Sequence, residues 1–299
     1  MLVIEKKGNH TTIRIVEWDS GMISPAHLLR LVKLRMQELW EFRELIQNLV
    51  ARNLKVRYRN SVLGVVWSLL NPLLMMLVFT AVFTVMRGEN VGIYPVFILV
   101  GLLPWQFFAN SVAGAAGSVV SNAQLINKVY FPREILVLAE VLSQVVNFLI
   151  ALLVLVPILL LFHIAFTPWL LLLPVMILIQ FIFTLGIAFI VATVNVFYRD
   201  VQMIMEVALL AGFFLTPVFY SLDILPRSYE LFGITWDIWR LVRYLNPMAS
   251  IIANYRVIVF YGAPPAWDFV FRTFITAIFF LLTGLFIFYR YHTRFSEEV

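Results

Sequence analysis

The chain has 299 residues, of which 62% are hydrophobic and only 13% charged, with a net charge of +5 and no cysteine. A soluble domain is about half apolar and about one quarter charged, so this composition excludes a soluble core and points to an all-α integral membrane protein with several runs of about 20 apolar residues. The missing cysteines exclude disulfides, thiolate metal sites and cysteine nucleophiles. The basic residues are scattered among apolar runs, which fits an anionic membrane surface and argues against a nucleic-acid partner.

In chain order, residues 1–37 read as a cytoplasmic extension without the apolar run and cleavage site of a signal peptide. Thr11–Trp18 alternates partly like a strand, Asp19-Ser20-Gly21 reads as a turn, and Ser24-Pro25 is a good helix start. Residues 38–60 form an amphipathic interface helix. Glu41, Glu44, Asn48, Arg52, Lys55 and Arg59 recur on one face, and Leu39, Phe42, Ile46, Leu49 and Leu54 on the other. This helix is too charged to span and is expected to lie in the interface plane, either as an anchor alone or as an anchor that also docks a partner. Lys55, Arg57 and Arg59 precede the first span; they either set topology or also meet an anionic lipid headgroup.

Residues 61–299 hold six expected transmembrane helices. They lie near Val62–Val85, kinked at Asn71-Pro72, then Tyr94–Val120, Ile135–Phe162, Pro168–Phe197, Val201–Tyr220 and Phe269–Tyr289. Between the second and third lies a polar, basic stretch at about 122–134, tied to a span at each end, where something outside the membrane can grip the protein. The segment at about 221–267 is long and half apolar, and reads as helices re-entering the outer face. The lysines and arginines of the inner segments place both termini in the cytoplasm; Arg227, Arg240, Arg243 and Arg256 on the outer side do not fit that rule.

No P-loop and no Gly-x-Ser-x-Gly elbow occurs, and His10, His27, His163 and His292 lack metal-ligand spacing. The chain is therefore expected to have no catalytic site, no metal and no cofactor of its own, and not to be an enzyme. An ion-coupled carrier remains an alternative, resting on Glu140 and Glu206 near the inner ends of the third and fifth spans. The aromatic residues Trp67, Trp105, Phe107, Phe108, Phe213, Phe214, Phe219 and Tyr220 fall in spans one, two and five. They suit either ordinary packing or a path for sugar rings.

The run Val56-Arg-Tyr-Arg-Asn-Ser-Val-Leu-Gly-Val-Val-Trp-Ser-Leu-Leu-Asn-Pro72 resembles the permease subunits of ABC-type polysaccharide exporters, the O-antigen, teichoic-acid and capsule class. Matching motifs follow in order: Gly101-Leu-Leu-Pro-Trp-Gln-Phe-Phe108, Asn127-Lys-Val-Tyr-Phe-Pro-Arg133, Asn195-Val-Phe-Tyr-Arg-Asp200, Thr216-Pro-Val-Phe-Tyr220 and Leu245-Asn-Pro-Met248. The resemblance implies a homodimer in the bacterial inner membrane, driven by two separate ATP-binding cassette subunits that carry ATP and Mg. It implies that Asn127, Lys128, Tyr130, Phe131, Pro132 and Arg133 belong to a coupling helix gripped by the ATPase, and that gate helices lie between spans five and six. The implied cargo is a polyprenyl-pyrophosphate-linked glycan, with the eight aromatics above as channel candidates and Lys55, Arg57 and Arg59 near the pyrophosphate. An O-antigen-like glycan is the first expectation; a teichoic acid or capsule polymer is the alternative.

Overall fold

A computed structural model describes residues 2–7, 10–15, 37–59, 61, 63–87, 92–128, 131–231 and 234–298. The chain divides into two compact units, Met1–Arg43 and Glu44–Val299. In the first, β1 (Leu2–Lys7) and β2 (His10–Ile15) pair antiparallel, from Leu2 opposite Ile15 to Lys7 opposite His10. The alternation read at Thr11–Trp18 thus marks a real strand, while its partner among the polar first residues was not foreseen. The turn at Asp19–Gly21 and the helix start at Ser24 lie outside the described residues.

The second unit is helical. It contains α1 (Arg43–Tyr58), α2 (Trp67–Arg87), α3 (Tyr94–Ser118), the short α4 (Ala123–Lys128), α5 (Glu134–Leu161), α6 (Leu173–Phe197) and α7 (Val201–Leu215). A small hairpin, β3 (Tyr229–Leu231) and β4 (Ile234–Trp236), precedes α8 (Ile238–Leu245), α9 (Pro247–Tyr255), α10 (Trp267–Tyr291) and α11 (Phe295–Glu298). Among the described residues two short hairpins depart from an all-α fold. Five helical segments among the described residues are long and apolar enough to cross a membrane: Trp67–Val85, Tyr94–Ser118, Glu134–Leu161, Pro168–Phe197 and Trp267–Arg294.

The expected fifth span differs. Its helix has 15 residues and stops at Leu215, which is about 22 Å of helix against a hydrocarbon core of about 30 Å. Thr216 takes an extended conformation because the residue before a proline is sterically disfavoured in the α region, and Pro217 follows. Asn246 pins this corner by donating to Thr216 Oγ1 at 2.9 Å, and it caps α9 by accepting from the Ala249 N–H at 3.1 Å. Pro247 occupies the first turn of α9, where its missing N–H costs nothing. That is the physical content of the Leu245–Met248 motif.

The core is organised around α3, whose residues Pro95–Trp105 are all buried. Leu99, Leu102 and Leu103 of α3 share one core with Val141 and Phe148 of α5, Phe183 and Phe189 of α6, and Ile251, Ile252 and Tyr255 of α9. The α6 and α10 backbones touch at paired glycines: a Cβ added to Gly186 would lie 2.5 Å from the Leu281 nitrogen. Small residues permit this close approach, which gains dispersion contacts where lipid removes the hydrophobic drive. Leu77 and Val78 of α2, Met203 and Val207 of α7, and Phe279 and Phe286 of α10 are exposed. Such apolar surface suits acyl chains or a second membrane-embedded subunit and not water.

Candidate functional site

Two neighbouring regions carry the candidate residues: the α4 segment and a polar cradle between α1 and α5. The α4 helix is short because it is a bridge: a single 3-10 turn, Val120–Asn122, joins it to α3, and Pro132 separates it from α5. Lys128 is exposed at its end; Val129 and Tyr130 lie outside the described residues. Phe131 is 5% exposed and Pro132 is buried, so both pack inside this chain. Of the residues expected in the gripped segment, Lys128 is therefore on the surface, while Phe131 and Pro132 are not. Arg133 donates to the His292 carbonyl, and Tyr289 donates to the carboxylate of Glu134 at 2.9 Å. Both bonds tie the exit of the segment to the end of α10. Phe295, just beyond, is fully buried against Phe288 and Phe197. On the other side Arg52 of α1 donates to Asn122 Oδ1 at 2.8 Å, and Asn122 donates to the Ser118 carbonyl at 2.7 Å. The residues flanking α4 are thus bonded to α1 and α3 on one side and to the end of α10 on the other.

The α1 helix turns inward the apolar face read from its sequence, with Leu49 buried and Ile46 and Leu54 half-buried while Glu44, Asn48, Arg52 and Lys55 are exposed, and hydrogen bonds fix it further. Leu49, Asn53 and Arg57, spaced by four, form the stripe that meets the bundle; Leu49 alone in the helix is buried. Asn53 donates to Glu140 Oε2 at 2.9 Å, Arg57 to Gln144 Oε1 at 2.5 Å, and Tyr58 to Asn147 Oδ1 at 2.9 Å. Gln144 donates in turn to Glu140 Oε1 at 2.9 Å. Glu140, Gln144 and Asn147 are a polar stripe on one face of the apolar α5. Both Glu140 oxygens accept bonds, and the carboxylate lies against the α3 backbone at Gly114, where an added Cβ would fall 2.8 Å from Glu140 Cδ. Asn53, Gln144 and Asn147 were not singled out from sequence, yet their spacing is the signal that could have found them.

Beneath this network is a cavity of about 290 Å³, lined by Arg57, Tyr58, Ser61, Trp67, Ser68, Asn71, Gln106, Phe107, Asn110, Gln144 and Asn147 among others. Trp67 and Phe107 belong here. All three basic candidates, Lys55, Arg57 and Arg59, are exposed, and of them Arg57 lines this cavity.

The remaining aromatic candidates assemble around α7. Trp105 lies 6.0 Å from Phe213 and 5.6 Å from Phe108; Phe213, Phe214, Phe219 and Tyr220 are successive ring neighbours. Phe79 and Phe83 of α2 complete the group, 5.7 Å and 5.1 Å from Phe219. Trp105 and Phe213 are buried, while Phe214 is exposed. Phe107 points the other way, stacking on Phe148 at 5.3 Å, because neighbours on a helix diverge by about 100°.

Three arginines after α7 are engaged within the chain. Arg256 is 4% exposed and donates to the carbonyls of Pro217, Val218 and Tyr220, with its guanidinium 3.7 Å from the Phe97 ring centre. Among the described residues no carboxylate pairs with it. Glycine at 101 leaves room for it, since a Cβ there would sit 2.7 Å from Arg256 Nη2. Arg243 stacks on Trp239 and Phe269, and Arg272 on Tyr244 and Phe269. These side chains fasten α8, α9 and the turn that follows them to the bundle.

Among the described residues no group of His, Cys, Asp or Glu is placed to hold a metal. A model of the ABC-2 type transporter family matches residues 44–260. The chain is 35% identical over 237 residues to the O-antigen export system permease protein RfbA of Myxococcus xanthus, an alignment covering 78% of this chain and 85% of that protein. It is 32% identical over 257 residues to an RfbA permease of Klebsiella pneumoniae, covering 85% and 94%. A second Klebsiella pneumoniae RfbA is 31% identical over 255 residues, with the same coverage.

Proposed function

The chain belongs to the ABC-2 type transporter family, and from that premise we propose that it is the membrane-spanning subunit of an ATP-driven exporter of lipid-linked polysaccharide. The observation that carries this reading is the similarity, over 85% of the chain, to O-antigen export permeases. The chain is a transport subunit; hydrolysis of ATP belongs to a separate partner. Two copies of the chain pair in the inner membrane with two such partners, and the apolar faces of α2 and α7 supply surface for that pairing.

In this reading α4 and Lys128 form the surface the ATPase grips. Closure of the ATPase dimer pushes α4, and the bonds from Arg52 and Arg133 carry the displacement into α1 and α10. The α7 helix with the Thr216–Tyr220 corner makes the sixth crossing, α8 and α9 form the outer gate, and both termini face the cytoplasm. Phe108, Phe214, Phe219 and Tyr220 line the glycan path with Phe79 and Phe83, a run of ring faces over which sugars slide without deep hydrogen-bonded traps, and the buried Trp105 and Phe213 back them. Lys55, Arg57 and Arg59 attract the pyrophosphate of the cargo. The cargo is O-antigen-like. The ion-coupled carrier loses support at Glu140, since both its oxygens are engaged, one by Asn53 of α1 and the other by Gln144 of its own helix.

The test is loss of the chain in its host. Lipid-linked glycan is expected to accumulate on the cytoplasmic leaflet, and restored expression to clear it only while ATP is available. Clearance that follows the proton gradient and ignores ATP would contradict the reading.

A further inference from the structure

The cavity of about 290 Å³ where α1 meets α2, α3 and α5 has a lining that lipid contact does not explain. Asn71, Gln106, Asn110 and Asn147 present side-chain amides to it, Trp67 an indole, and Arg57 a guanidinium. Asn71 and Asn110 are exposed, and neither makes a side-chain hydrogen bond among the described residues. Polar residues in membrane helices are costly and mark functional sites.

The donor set narrows the ligand. No carboxylate lines the cavity, which disfavours a metal ion or a free cation. Amides donate and accept, as neutral hydroxyls require, and an indole face suits the C–H face of a ring. Arg57 spends one N–H on Gln144 and keeps further donors of its five for an anion. The volume is near the lower end of ligand pockets, roughly 300 Å³, which admits one ring with its phosphate and not a polymer. The site opens beside α1, the helix read as lying at headgroup depth. Resting on the exporter reading above, we propose that this cavity receives the headgroup of a lipid-linked glycan: Arg57 holds the phosphate, Trp67 stacks on the first sugar, and Asn71, Gln106 and Asn110 bond its hydroxyls. Because Arg52 of the same helix is bonded to Asn122 at the head of α4, the coupling segment and the pocket wall move as one.

The test is binding by the purified full chain, measured by native mass spectrometry with a polyprenyl-pyrophosphoryl monosaccharide, and in parallel with phosphatidylglycerol, whose phosphate and hydroxyls offer the same chemistry without the ring. The chain is expected to retain the sugar lipid in preference to phosphatidylglycerol. Asn71→Leu and Asn110→Leu are each expected to weaken retention about tenfold, the worth of one good hydrogen bond, with unchanged melting; Thr283→Val, remote on α10, is expected to leave it unchanged. Should either leucine variant melt early, Asn71→Ser and Asn110→Ser, which shorten the reach and keep the polarity, are expected to show the same weakening. Equal retention of the two lipids identifies an ordinary phospholipid site and overturns the proposal, as does wild-type binding by the Asn71 and Asn110 variants. Neither result touches the exporter reading, which fails separately if vesicles carrying the chain and its ATPase export no glycan while the purified chain still binds the sugar lipid.

Discussion

Replacing Glu140 separates a structural carboxylate from a transporting one. In the structure it accepts from Asn53 and from Gln144, and its carboxylate rests on Gly114. Glu140→Ala leaves two amide donors without acceptors in a half-buried site. Each such loss costs about 1–3 kcal/mol, and with partial access to water the low end applies, so about 2 kcal/mol in all. Glu140→Gln keeps the volume and one acceptor but sets an NH2 against the other donor, at about half that cost. Gly114→Ala places a methyl where the carboxylate lies and expels it. Thermal melting of the purified chain is therefore expected to rank wild type above Glu140→Gln, and Glu140→Gln above Glu140→Ala, with Gly114→Ala close to the last. Hydrogen exchange is expected to accelerate in α1 in the same order. The Gly114→Ala/Glu140→Ala double variant is expected to be no worse than either single one, because both remove the same bonds. Abolished transport in Glu140→Gln with melting and α1 exchange unchanged would refute this reasoning and restore an ion-coupling role.

Three further outcomes follow from the geometry. Lys128→Glu is expected to uncouple ATP hydrolysis from export with normal melting, whereas Arg133→Glu is expected to lower melting because Arg133 is bonded within the chain; melting and ATPase-coupled export assayed side by side check this. Gly284→Leu is expected to force α10 off α6, where a Cβ already meets the Gly186 backbone, at 1–3 kcal/mol or more, roughly the cost of overpacking; expression and melting in detergent read it out. Asn246→Ala removes the α9 cap and the Thr216 bond, and is expected to cost about 1–2 kcal/mol and to raise exchange in α9 while sparing α3.

Long apolar runs were legible in the sequence because a bilayer needs length and little else. The helices α3, α5, α6 and α10 begin within a few residues of the expected bounds. The fifth span was read too long because apolarity continues through Val218-Phe219-Tyr220, while the backbone obeys Pro217. The interface helix was legible together with the face it turns inward, Leu49 buried and Ile46 and Leu54 half-buried; the bonds from Asn53 and Arg57 to Glu140 and Gln144 were not, because those acceptors lie almost ninety positions later. The channel aromatics were half legible. Spacing separates Phe107 from Phe108, but only tertiary structure brings Phe79 and Phe83 to Phe219. The binding of Arg256 was not legible, since nothing local announces three carbonyls supplied by residues almost forty positions earlier.

The most direct test of the account is purification of the chain from its native membrane in mild detergent, with identification of everything that accompanies it. An ATP-binding cassette protein in equal amount, together with a polyprenyl-linked glycan, is the predicted result. A homogeneous chain with no ATPase, still able to move solute in vesicles under an ion gradient alone, would contradict it.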